Sequence, residues 1–175
     1  MDTLDRISSW AIVVLIISSF VLVSGYKGEA GPNLKVQQRI GTADYSVVNS
    51  EVSNKVKLAK NILEAGNLDK AEMLVKEIIQ KYPYEGGPHM VMGDIFMRSL
   101  EPVKSIPEYK EAVDLNPDYL DKKTPLFQGK KLKIAVNEAL DEVEKMIDAD
   151  PGNRAIRQKR KTIYYLQRRI AGSCG

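Results

Sequence analysis

Few residues in this 175-residue chain could carry out covalent or acid–base chemistry. The single histidine, His89, is the side chain that would titrate near neutral pH and act as a general base or metal ligand. It follows Pro88, which suits the first turn of a helix, and reads as a surface or inter-helix residue. The single cysteine, Cys174, excludes an intramolecular disulfide and a cysteine-based metal cluster. Its place next to the last residue favours an exposed, frayed thiol, and the final Gly-Ser-Cys-Gly is not a prenylation motif. Gly86-Gly87-Pro88 lacks the Lys-Ser/Thr that completes a phosphate-binding loop. Asp141, Glu142 and Glu144 fall along one amphipathic stretch, where solvated charge is the ordinary explanation. Nothing assembles a nucleophile, a base and an oxyanion site, so the expectation is a non-enzyme with no metal and no cofactor.

The other candidate chemistry is electrostatic. Of 26 basic and 23 acidic residues, seven basic and no acidic ones fall in residues 151–175, which leaves a mildly acidic body of 19 against 23. The seven are Arg154, Arg157, Lys159, Arg160, Lys161, Arg168 and Arg169. Such a tail suits anionic lipid, nucleic acid or an acidic partner, or a solvated helix face that keeps a domain soluble. Only Tyr164 and Tyr165 are interleaved with the cations, which disfavours base recognition and makes lipid the better version. Binding of that kind should weaken steeply with salt.

Elements must position these groups, and the chain opens with one of a different kind. After a short tail, residues 1–6, no charged residue occurs from Ile7 to Tyr26. Twenty helical residues rise about 30 Å, the thickness of a hydrocarbon core. Trp10 and Tyr26 stand near the two ends, where amphipathic rings prefer the headgroup level. Residues 7–26 therefore read as a transmembrane anchor. A cleaved secretory signal competes, with candidate cleavage sites after Gly25 or Ala30, but its leader would carry two aspartates beside Arg6 and its core would be long. Orientation signals conflict. Lys27, Lys35 and Arg39 favour a cytoplasmic domain, whereas a short tail ahead of an uncleaved anchor sends the downstream domain across, toward a periplasm-like side of a bacterial-type inner membrane. The second is the expectation. Residues 27–50, with Gly28, Gly31, Pro32 and Gly41, read as a flexible linker.

Beyond residue 51 the chain repeats itself. Tyr82-Pro83, Asn116-Pro117 and Asp150-Pro151 place three prolines 34 residues apart. The first unit reads as two helices, Val52–Glu64 and Leu68–Lys81, broken at Ala65-Gly66-Asn67. The second is expected to start at Pro88, with Ser105-Ile-Pro-Glu108 as a capping box on its second helix. The third is expected to start at Thr124-Pro125 and to turn near residues 135–137.

Leu58-Ala59, Ile62, Gly66, Leu68, Ala71, Val75, Ile78 and Pro83 in the first unit, and Met92-Gly93, Phe96, Tyr109, Ala112 and Pro117 in the second, resemble the tetratricopeptide repeat. Glu108-Tyr-Lys-Glu-Ala-Val-Asp-Leu-Asn-Pro117 is especially similar to that family's second helix. The small residues Ala59, Ala71, Gly93 and Ala112 fall where helices must approach closely. The second unit departs from the pattern with Leu100 and Ser105 where glycine and alanine are usual, and the third with Phe127 and Ile134. The resemblance implies an α-solenoid of three repeats (about 52–85, 86–119 and 120–153, within 51–151); with the transmembrane helix before it, a basic capping helix over 154–170 and a tail, 171–175, the expected fold is all-α. The cap would cover the apolar end of the array through Ile156, Ile163, Leu166 and Ile170.

In this family the first helix of each repeat lines a concave groove that takes a segment of a partner protein. The pattern puts Val56, Lys60, Leu63, Met90, Asp94, Met97, Arg98, Gln128 and Lys131 on that face, with Met90 and Met97 equally readable as core between repeats. Val56 and Lys60 stand where the family's chaperone-tail clamp would need other residues, so that clamp is absent. The implied function is a membrane-anchored scaffold that recruits or helps assemble a partner protein, whose identity the residues do not give. The rival reading is a peripheral binder of anionic lipid or nucleic acid through the basic helix.

Overall fold

The computed structural model describes residues 50–172, and these are all-α: among them helices alternate with short turns and no strand occurs. The expected anchor over 7–26, the tail before it, linker residues 27–49 and Cys174 lie outside the described residues. Among the described residues no helix is long and apolar enough to cross a membrane.

The helices are α1 (residues 50–64), α2 (Leu68–Lys81), α3 (Gly86–Arg98), α4 (Pro102–Leu115), α5 (Gly129–Ala149) and α6 (Arg154–Gly172), with a 3-10 turn at Pro117–Tyr119. Each stops for a local reason. At the end of α1 the Gly66 N–H reaches Leu63 O and the Asn67 N–H reaches Ile62 O, with Gly66 at φ +82°. This is a Schellman motif, which asks for the left-handed conformation that glycine adopts freely. The same motif ends α3, where Leu100 N–H bonds Met97 O and Glu101 N–H bonds Phe96 O. There the left-handed position is taken by Leu100 itself, at φ +59°. The leucine that departs from the repeat pattern thus performs the turn with the wrong side chain. The three prolines follow the C-caps Tyr82, Asn116 and Asp150, where a helix can no longer use an N–H from the next residue.

Three expectations need correction. Helix α3 begins at Gly86, so Pro88 falls within its first turn. Ser105 does not cap α4. That helix starts at Pro102, and the buried Ser105 hydroxyl is 2.7 Å from Pro102 O, inside the first turn. Pro107 lies within the helix. The third unit is not a pair of helices starting at Thr124-Pro125. Residues 121–128 form turns, held by the Thr124 hydroxyl donating to Asp118 O and by Lys123 N–H donating to Asp121 Oδ1, and Gln128 N–H closes onto Tyr119 O. Then α5 runs for 21 residues without a turn at 135–137. Its buried residues Leu132, Ala135, Val136, Ala139 and Val143 keep one helical face, and no glycine or proline interrupts them until Pro151. Asn153 then caps α6 by accepting from Ala155 N–H and Ile156 N–H, and α6 folds back on α5 and α4.

The core has two parts. One joins Ala59 and Leu63 of α1, Ala71 and Val75 of α2, and Val91, Met92 and Ile95 of α3. The other runs from Met90 of α3 through Ile106, Tyr109 and Val113 of α4 and Leu132, Val136 and Val143 of α5 to Ile163, Leu166 and Ile170 of α6. Small residues set the spacing. Ala59, Ala71, Ala112 and Ala139 are fully buried. At Gly93 an added Cβ would run into the ring of Tyr109, so the absence of a side chain on α3 lets the α4 tyrosine lie flat against it.

Candidate functional site

The alternating helices α1, α3 and α5 share one side of the fold, and between them opens a cleft of about 580 Å³. Lys60, Leu63 and Glu64 line it from α1, Asp94, Met97 and Arg98 from α3, and Gln128, Lys131 and Ile134 from the start of α5, with Tyr109 of α4 at its floor. Seven of the nine expected groove residues are thus brought together. Val56 lies half-buried against Gly87, away from that lining, and Met90 is 1% exposed and belongs to the core. Met90 points inward because the turn of α3 that carries it faces α4.

Sequence reasoning missed three lining residues, Glu64, Tyr109 and Ile134. Tyr109 reaches the cleft from the second layer because Gly93 leaves room for its ring, and that Gly93–Tyr109 pairing was the signal available. Ile134 is 57% exposed, a large apolar residue at the rim of the cleft. Its departure from the repeat pattern was the clue.

The floor is a hydrogen-bonded cluster. Lys131 Nζ lies 2.7 Å from Asp94 Oδ1 and 2.9 Å from Oδ2, and the Tyr109 hydroxyl donates to Oδ1 at 2.7 Å. Lys131 Nζ also stands 5.5 Å from the centre of the Tyr109 ring, within cation–π range. Burial holds the Lys131 ammonium below the usual lysine range, with Lys60 adding repulsion and Asp94 opposing both. Burial, then the Asp94 charge, pushes the Tyr109 hydroxyl well above its ordinary range. Arg98 Nη1 donates to Leu63 O at 2.6 Å, a second donor to the carbonyl that also accepts from Gly66 N–H, which fastens α3 to the last turn of α1. Asp94 is thus committed to internal partners, whereas the exposed Lys60 has no ion-pair partner among the described residues.

His89 stands outside this cleft, its Nδ1 2.7 Å from Glu108 Oε2 across α3 and α4. Among the described residues no three His, Cys, Asp or Glu side chains converge as they would to hold a metal.

The basic residues of α6 are divided between two sides. Arg160 faces α5, where Nη1 lies 3.5 Å from Glu144 Oε1. Arg169 faces α4, 3.8 Å from Asp114 Oδ1, beside the Tyr165 hydroxyl that donates to the same oxygen at 2.9 Å. Arg154, Arg157 and Lys161 are exposed on the outer side, Arg168 is exposed at the edge of a hollow between α6 and α5, and Lys159 borders a hollow between α6 and α4.

No family model matches this chain, and no curated protein compared with it does.

Proposed function

We propose that the chain is an interaction scaffold of tetratricopeptide-repeat type, held at a membrane by residues 7–26, which recruits a partner protein through the cleft between α1, α3 and α5. The observation that carries this reading is the lining itself. Alternate helices converge on one concavity in which the exposed Ile134 and half-buried Met97 stand among Lys60, Arg98 and Lys131. Apolar surface ringed by charge suits a protein contact of modest affinity. The available cations favour a partner segment with apolar side chains and a flanking carboxylate. Confinement to a membrane raises local concentration, so that weak contacts suffice.

The test is capture of the tagged full-length protein from mildly solubilised membranes at moderate salt, beside the variant Lys60→Glu with Ile134→Glu. Both positions are exposed, so the variant should keep its helicity and thermal midpoint while losing a stoichiometric partner. A variant that retained its full complement of partner would overturn the cleft reading.

A further inference from the structure

Helix α6 carries no acidic residue, and its inward and outward faces differ in what becomes of the charge. The cations Arg160 and Arg169 have carboxylate partners, Glu144 and Asp114, the second shared with Lys110. Opposite the buried Ile163, Leu166 and Ile170 stand Arg154, Arg157, Lys161, Tyr164 and Arg168, all exposed. Their spacing of three, four, three and four residues keeps them on one face over about 21 Å of helix. Arg154, Lys161 and Arg168 have no ion-pair partner among the described residues, and Arg157 donates only to the backbone oxygen of Pro151. The result is an exposed row of four cations on one helix face, the last of them, Arg168, at the edge of a hollow against α5, with an exposed tyrosine set within it.

We propose that this row is a docking surface for an anionic phospholipid bilayer, separate from the cleft and independent of its reading. Four cations in line on a convex helix match a plane of phosphate groups, and each adds attraction to an anionic surface. Tyr164, 38% exposed, offers the amphipathic ring that prefers the headgroup level. A nucleic acid would be served less well, since the row has one aromatic for stacking. The same chain also carries residues 7–26 with no charge among them, a composition that itself favours hydrocarbon.

The test uses the full-length chain in lipid nanodiscs, with its only cysteine, Cys174, carrying a donor dye and the lipid an acceptor. Discs of phosphatidylcholine alone are compared with discs that also contain phosphatidylglycerol. Energy transfer should be higher on the anionic discs, fall as salt is raised, and drop to the neutral-disc level in Lys161→Glu with Arg168→Glu. The matched variant Lys57→Glu with Lys122→Glu makes the same change of net charge on exposed residues elsewhere and should keep the transfer. Titrated with anionic vesicles, the outward variant should need at least about tenfold more lipid than the matched one. Equal transfer on the two discs, or equal loss in the two variants, would overturn the proposal. So would a chain that ignored the anionic discs but bound a short DNA duplex or an acidic polypeptide through the same two residues.

Discussion

The ammonium of Lys131 rests between both carboxylate oxygens of Asp94, 37 residues earlier in the chain, at 2.7 and 2.9 Å. One residue belongs to α5 and the other to α3, so the contact passes over α4, whose Tyr109 hydroxyl shares one of the oxygens. The cluster is asymmetric in what its loss would leave behind, because Asp94 is the acceptor for both other members, whereas Lys131 is only one of its two donors.

Asp94→Ala should therefore destabilise the fold by about 2–3 kcal/mol, since it leaves a partly desolvated cation and a buried hydroxyl without an acceptor. Lys131→Met should cost about 1 kcal/mol or less, because Asp94 keeps the tyrosine and its open side stays in contact with water. Urea midpoints of the two variants check the asymmetry. Equal losses would mean that the pair contributes only as a solvated salt bridge.

The two helix ends at Gly66 and Leu100 should respond in opposite directions. Leu100 bears the cost of a left-handed backbone, about 1–2 kcal/mol for a side chain with a Cβ, and it is almost fully exposed, so little packing is lost with it. Leu100→Gly should stabilise the fold by about 0.5–1 kcal/mol after the added freedom of the unfolded glycine is subtracted. Gly66→Ala should destabilise by about 1 kcal/mol, although space around Gly66 is open, because its φ of +82° is the obstacle. Thermal midpoints measured side by side decide the matter.

The floor of the cleft also sets a dependence on alkaline pH. The folded-state Tyr109 holds its proton above the ordinary value of 10.0, so past pH 10 the unfolded chain sheds a proton that the folded one keeps, and stability falls. Lys131 acts the other way. Its folded-state value lies below 10.5, so stability rises as pH climbs through the interval up to 10.5, where only the unfolded chain remains protonated. Tyr109→Phe should lessen the fall, to which Tyr119, also raised by burial, still contributes, and leave the rise. Chemical denaturation between about pH 8 and 11 on both proteins, reported as a difference, isolates the Tyr109 contribution from those of Lys131 and the other lysines and tyrosines.

The first unit was legible almost residue by residue, because Gly66 and Asn67 turn the chain with chemistry that propensity rules read directly. The second was legible in its pairing but not its boundaries. Ser105-Ile-Pro-Glu108 suggested a capping box with Ser105 as the cap, yet α4 starts three residues earlier, at Pro102, and accommodates the Pro107 ring. The third misled because period and local signal disagreed. Pro151 keeps the 34-residue spacing, but residues 130–149 hold no glycine or proline and an unbroken apolar face, and local continuity prevailed. In the cleft, first-helix residues could be placed by repeat position, whereas Tyr109 could not, since its access depends on an empty Cβ position on a neighbouring helix. The division of basic residues on α6 depended on where Glu144 and Asp114 fall in space, which spacing alone does not disclose.

Helix α3 contributes Met90 to one part of the core and Val91, Met92 and Ile95 to the other. It is the wall between two rooms, and the wall comes down only when both are open. Fraying from the α1 end strips one flank of α3 and leaves the other packed, and loss of α6 does the reverse. The amides of α3 should consequently be the last to exchange with solvent, at a rate that reports global unfolding of residues 50–172.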